Sequence, residues 1–171
     1  MRRGLTLVLG FALSLAACGE EGAKMAAVPR EPGPDATGFY CSMTLKEHQG
    51  PKGQILLKGV GDPFWFSSVR DALTYVNHDL VSDADVAGFW VNDMTEGSWE
   101  TPAPKSWIDA RSAWFVVGSG KETAMGGLEA VPFKGRVAAE KFASAEGGRV
   151  ADYESVLRAL ADEEIEKGGG T

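Results

Sequence analysis

Cys18 closes an apolar leader, and that leaves Cys41 as the one cysteine of the folded body. Arg2 and Arg3 open the chain, the run Gly4 to Ala17 is mostly apolar, and Leu15-Ala16-Ala17-Cys18 resembles a bacterial lipoprotein processing site. The run is shorter than the roughly 18 to 20 residues that a bilayer-spanning helix needs. It reads as a secretory signal, residues 1–17, with lipid expected on Cys18. A body with no internal thiol partner has no disulfide of its own and must be held by packing. Five tryptophans and eight phenylalanines supply the material for that core.

Loss of the leader leaves 154 of the 171 residues, enough for one compact domain or two small ones. Arg2 and Arg3 leave with it, so the formal charge falls from −7 to −9. An acidic surface excludes nucleic acid, which needs a basic footprint. The paired arginines lack the flanking residues of twin-arginine export, so the general route to the periplasm is expected. Gly19 follows Cys18 where an aspartate would favour the inner membrane, a pattern that leans toward the outer one.

Residues 18–37 contain Pro29, Pro32, Gly33 and Pro34 in a polar setting and read as a disordered tether, with order starting at Gly38. Gln54 to Lys58 reads as a strand, Gly61-Asp62 as a turn, and Pro63 to Phe66 as an aromatic strand. Ser68 stands three residues before Asp71 in capping-box spacing, and Val69, Ala72, Leu73 and Val76 mark one face of the helix that follows. Val86 to Val91 reads as a buried strand, and Glu96 to Lys105 as a proline-bearing loop between two halves. The second half then repeats the first. Trp107 to Asp109 and Ala113 to Val117 read as strands, Leu128 to Phe133 parallels the Pro63 strand, and Arg136 to Ser144 parallels the helix, with an apolar stripe of Val137, Ala138, Phe142 and Ala143. A short strand at Val150 and a last helix carrying Leu157, Leu160, Ala161 and Ile165 close the chain. The expected fold is α+β: two similar ββα(β) units in tandem, 38–104 and 105–166, behind a flexible lipid-anchored tether and before a disordered tail, 167–171.

An unpaired thiol in an exported protein is open to oxidation and mispairing, so its presence calls for a reason. Met43 lies two residues beyond Cys41 and His48 lies close by, a donor set that suits a soft ion, Cu(I) above all. In an extended segment Cys41 and Met43 would share a face. Met125, between Ala124 and Gly126-Gly127, offers a further exposed thioether from a distant stretch. Each has a plainer reading: Met43 and Met125 as packing filler, His48 as a solvated side chain unless the thiol recruits it. Gly118-Ser119-Gly120-Lys121 fails as a phosphate loop, since Phe115 and Glu122 occupy required positions. A cysteine hydrolase would need His48 or His78 as base and an oriented third group, and nothing local identifies them, so an enzyme is not expected. The alternative is a lipoprotein that binds a protein partner or small ligand, with Trp99 and Trp107 beside the proline-bearing loop as its surface.

Cys41-Ser42-Met43 followed by Glu47-His48-Gln49-Gly50-Pro51-Lys52-Gly53-Gln54-Ile55 resembles the opening of the NosL family. The likeness continues through Asp93-Met94-Thr95, Gly97-Ser98-Trp99-Glu100, Trp107-Ile108-Asp109-Ala110, Ala124-Met125-Gly126-Gly127 and Ala130-Val131-Pro132-Phe133. The family more commonly shows glycine where Ser42 stands, a change of turn freedom and not of ligand. The resemblance implies a lipid-anchored periplasmic accessory protein of nitrous oxide reductase that binds Cu(I) and passes it to the assembly machinery of the reductase copper site. It places copper ligands on Cys41, Met43 and Met125, with His48 as a further ligand or the ligand of a second metal. It also implies a pair of ββαβ units, as in organomercurial lyases. Lyase activity itself would need a second reactive thiol.

Overall fold

The computed structural model describes residues 27–78, 81–123 and 125–168. The leader, Cys18 and the start of the tether lie outside the described residues. The first sheet has four antiparallel strands in the order β2-β1-β3-β4, with β1 at Gly53–Leu57, β2 at Phe64–Phe66, β3 at Val86–Asn92 and β4 at Trp107–Asp109. Between β2 and β3 runs helix α1, Val69–Asn77, whose first turn is capped by Ser68: its side-chain oxygen accepts the Asp71 N–H. Val69, Ala72 and Leu73 are buried under it, the apolar face that the spacing predicts.

The second sheet, β6-β5-β7, is built from β5 at Trp114–Val117, β6 at Val131–Phe133 and β7 at Arg149–Ala151. Helix α2, Arg136–Glu146, joins β6 to β7, and α3, Tyr153–Gly168, follows β7. Both sheets therefore place their first strand between the second and third, with a helix inserted between the second and third. Pro132, which cannot donate to a ladder, lies in the edge strand β6.

The period-two alternation of β5 distributes its side chains to two cores. Phe115 and Val117 face the main core with Ile55, Phe66, Phe89 and Val91 of the first sheet, Leu73 of α1, and Val156 and Leu160 of α3. Val116 faces the opposite way, into a smaller cluster with Val131, Phe133 and Ala139 under α2. One apolar interior thus joins the two sheets.

Three expectations need correction. Trp107–Asp109 does not belong to the second half: it pairs with Trp90, Val91 and Asn92 as the edge of the first sheet, so the division at 104/105 cuts off a strand of that sheet. Chain proximity to β5 suggested otherwise, but the free edge of β3 is where its hydrogen bonds are met. Residues 30–37 are not loose tether. The fully buried Gln54 side chain donates to the Arg30 carbonyl and accepts the Arg30 N–H, both at 2.9 Å; Arg30 also pairs with Asp62 and Glu31 accepts from the Trp107 indole. A buried carboxamide must be satisfied, and here the extended chain does it. On α2 the buried stripe runs through Ala139, while Val137 stands 80% exposed.

Candidate metal centre

Cys41 lies in a tight turn, not in an extended segment. The Ser42 N–H donates to the Gly38 carbonyl at 2.8 Å and the Gly38 N–H to the Met43 carbonyl at 2.9 Å, closing the loop on itself. The face-sharing argument for Cys41 and Met43 therefore does not hold. Phe39 anchors the turn through its N–H to the Trp65 carbonyl, 2.7 Å, and through ring contacts with Phe64, Phe66 and Tyr75. Gly38 is required by contact: a β-carbon there would come within 2.7 Å of the Cys41 sulfur. Ser42 has a φ of 57°, the left-handed region that costs an L-residue roughly 1–2 kcal/mol. Ser42→Gly should therefore raise stability by up to about 1 kcal/mol, read as a higher urea midpoint at unchanged slope. A midpoint at or below the parent's would show that the hydroxyl compensates.

The half-buried Cys41 sulfur stands 3.6 Å from His48 Nε2 and 3.5 Å from the Ser67 hydroxyl. His48 follows the short 3-10 turn Leu45–Glu47, whose start is held by the Thr44 N–H donating to the Glu47 carboxylate at 3.0 Å. It is 9% exposed and lies against the thiol, so it is not a solvated side chain. The next residues are held by Gly50, at φ 77° and flat against Trp99, whose ring a β-carbon would approach to 2.9 Å. At that separation the Cys41 sulfur and the His48 imidazole would hold one soft ion between them, as thiolate and neutral nitrogen donors. Among the described residues no group of three His, Cys, Asp or Glu side chains is placed to hold a metal.

Met43 and Met125 are 41% and 58% exposed, and neither is packing filler. Met125 tips a hairpin closed by Thr123 N–H to Gly127 O, 2.9 Å, and Glu129 N–H to Lys121 O, 2.8 Å. Glu122 and Thr123 of this hairpin line a cleft of about 510 Å³ together with His48 and Trp99. His48 also borders a second cleft of about 410 Å³, on the side of Lys52, Asn92 and Trp107. The structure thus joins Cys41 to His48 directly, keeps Met43 on the same loop, and brings the hairpin of Met125 to the cleft that His48 lines.

Sequence reasoning missed Ser67, whose adjacency to the cap residue Ser68 was the available signal, and the buried ionisable groups nearby. Lys52 donates to the carbonyls of Gln49 and Gly50, and burial lowers its pKa to about 8. Burial raises Glu129 to about 7, against the pull of backbone N–H donors from Arg70 and Ala130. Burial also raises Asp71, opposed by Ser68. As pH rises from 4.5 to about 7, folded Glu129 keeps a proton that the unfolded chain has lost, so its contribution to stability is progressively removed. Between about 8 and 10.5 folded Lys52 has shed a proton that the unfolded chain keeps, so stability recovers. Urea midpoints against pH should therefore dip between about pH 7 and 8, and Glu129→Gln should flatten the acid-side limb. An unchanged acid-side limb in that variant would refute the assignment.

Fold and site together define a small α+β protein presenting a thiol–imidazole pair suited to a soft metal ion. The NosL family model matches residues 29–161, and the chain belongs to the NosL family. It is 39% identical over 171 residues to the copper-binding lipoprotein NosL of Achromobacter cycloclastes, covering 98% of this chain and 88% of that one. It is 30% identical over 161 residues to the copper-binding lipoprotein NosL of Stutzerimonas stutzeri, covering 94% and 83%. The crystal structure of the copper chaperone NosL from Shewanella denitrificans superposes with a TM-score of 0.69 at 29% identity, over 74% of this chain and 93% of that one. No helix among the described residues is long and apolar enough to cross a membrane.

Proposed function

We propose that this protein is a Cu(I) chaperone, tethered to the periplasmic face of a membrane by lipid on Cys18, that supplies copper for maturation of the nitrous oxide reductase copper site. The observation that carries the reading is the 3.6 Å contact between the Cys41 sulfur and His48 Nε2 in a half-buried turn. Relatives named for copper binding and a solved relative named as a copper chaperone point the same way. Thiolate and thioether are the soft donors that favour the monovalent ion. Cys41, Met43 and Met125 are the proposed ligands, with His48 at the thiol. The shared connectivity of the two sheets supports an origin as tandem ββα(β) units.

Transfer needs a site that an acceptor can enter. Met43 and Met125 are exposed, so an incoming sulfur can displace a thioether before the Cys41 bond breaks, and the ion is never free. Binding releases the thiol proton, so affinity falls as the medium is acidified. The test is anaerobic titration of the reduced mature lipoprotein in detergent with Cu(I) against a competing chelator. One tightly held ion per chain and a copper–sulfur signal in X-ray absorption are expected. A loaded protein with only nitrogen and oxygen around copper would end the proposal.

A further inference from the structure

The two segments that carry the proposed ligands are both fastened to one short stretch of chain, Ser67 to Arg70. Cys41 meets the Ser67 hydroxyl at 3.5 Å. Two positions beyond Ser68, the Arg70 N–H donates to the Glu129 carboxylate at 2.7 Å, and the same oxygen accepts the Ala130 N–H at 2.9 Å. The Arg70 guanidinium reaches the Leu128 carbonyl at 3.0 Å and the Glu163 carboxylate at 2.8 Å. Glu129 also closes the Met125 hairpin through its own N–H to Lys121. The Arg70 amide in the first turn of α1, which no intrahelical partner satisfies, is thus capped by an acid 59 residues away that closes the Met125 hairpin.

A fully buried acid is a costly way to cap a helix. Ser68 already satisfies the Asp71 amide, and a nearby Ser, Thr, Asp or Asn side chain is the ordinary solution for a helix start. What the long-range cap adds is a fixed separation: the hairpin of Met125 cannot shift relative to α1 without breaking the Arg70 N–H bond to the Glu129 carboxylate and the guanidinium bond to the Leu128 carbonyl. We infer that Glu129 is a positioning residue, locking the Met125 hairpin to the start of α1 and so setting the reach of the Met125 thioether toward the copper held at Cys41. This rests on Met125 being a copper ligand.

The test is a double-mutant cycle on Cu(I) affinity in the reduced mature lipoprotein, by chelator competition. Glu129→Ala should weaken binding by about 10–100-fold, the range for groups that orient metal ligands. Adding Met125→Ala to it should then cost little more, because the thioether is already displaced. Glu129→Gln, which keeps an acceptor oxygen in place, should restore most of the loss. X-ray absorption of the Glu129→Ala protein should show one fewer sulfur at copper with the Cys41 bond intact, which a general loss of stability would not produce. Should Glu129→Ala fail to fold, Arg70→Met releases the hairpin from its second anchor while keeping the amide cap, and the same cycle applies to it. If Met125→Ala costs as much in these backgrounds as in the parent, the positioning role is wrong while the ligand stands. If Met125→Ala costs nothing in the parent, both fall.

Discussion

Cys41→Ser should lose Cu(I) affinity by more than the roughly 100-fold that marks the upper end of changes outside the coordination shell. Serine keeps the size of the side chain and can still hydrogen-bond to Ser67 and His48, so the turn should fold as before. What changes is the donor. A thiolate is soft and anionic when it binds, whereas a serine hydroxyl stays protonated near neutral pH and offers a hard oxygen. His48 and the exposed methionines remain, but neutral donors alone do not offset the lost charge. Stability should move by less than about 1 kcal/mol, as for other half-exposed conservative changes, so unfolding does not explain the loss. Affinity within threefold of the parent would remove Cys41 from the site.

Phe115→Ala should destabilise the fold by about 3–5 kcal/mol, the range for a buried aromatic truncated to alanine. Phe115 is fully buried at the centre of β5 and packs in the cluster that holds Ile55, Phe89 and Val91 of the other sheet. The loss should therefore fall on both halves at once. Tryptophan fluorescence, reporting Trp65 and Trp90 in the first half and Trp114 in the second, should show one transition at a lower urea midpoint. Two separated transitions, with only the Trp114 signal shifted, would mean that the halves unfold independently.

The elements with strong local signals were legible in the chain. Ser68-Val69-Arg70-Asp71 announced α1 because a cap and an apolar stripe are both local, and Pro63 to Phe66 announced β2 because aromatic strands bounded by Gly-Asp turns have few alternatives. The edge strand Trp107–Asp109 was legible as a strand but not as part of the first sheet, because pairing is decided by which edge is free. Residues 30–37 looked like tether because proline and glycine give no local reason to fold. Their order comes from Gln54, whose buried carboxamide faces them from 24 residues away. At the site, Cys41, Met43, His48 and Met125 were candidates on donor chemistry alone.

Which atoms could hold a soft ion, and that the body had to fold around an apolar core, can be read from the residues one at a time, because donor type and side-chain hydrophobicity are properties of single residues. That His48 is buried on the Cys41 sulfur, that the Cys41 loop is a turn, and that a distant Glu129 fastens the Met125 hairpin to α1 emerge from the folded chain alone. Those are distances between chain segments. They are fixed by packing the two sheets on one core, which no local stretch of residues encodes.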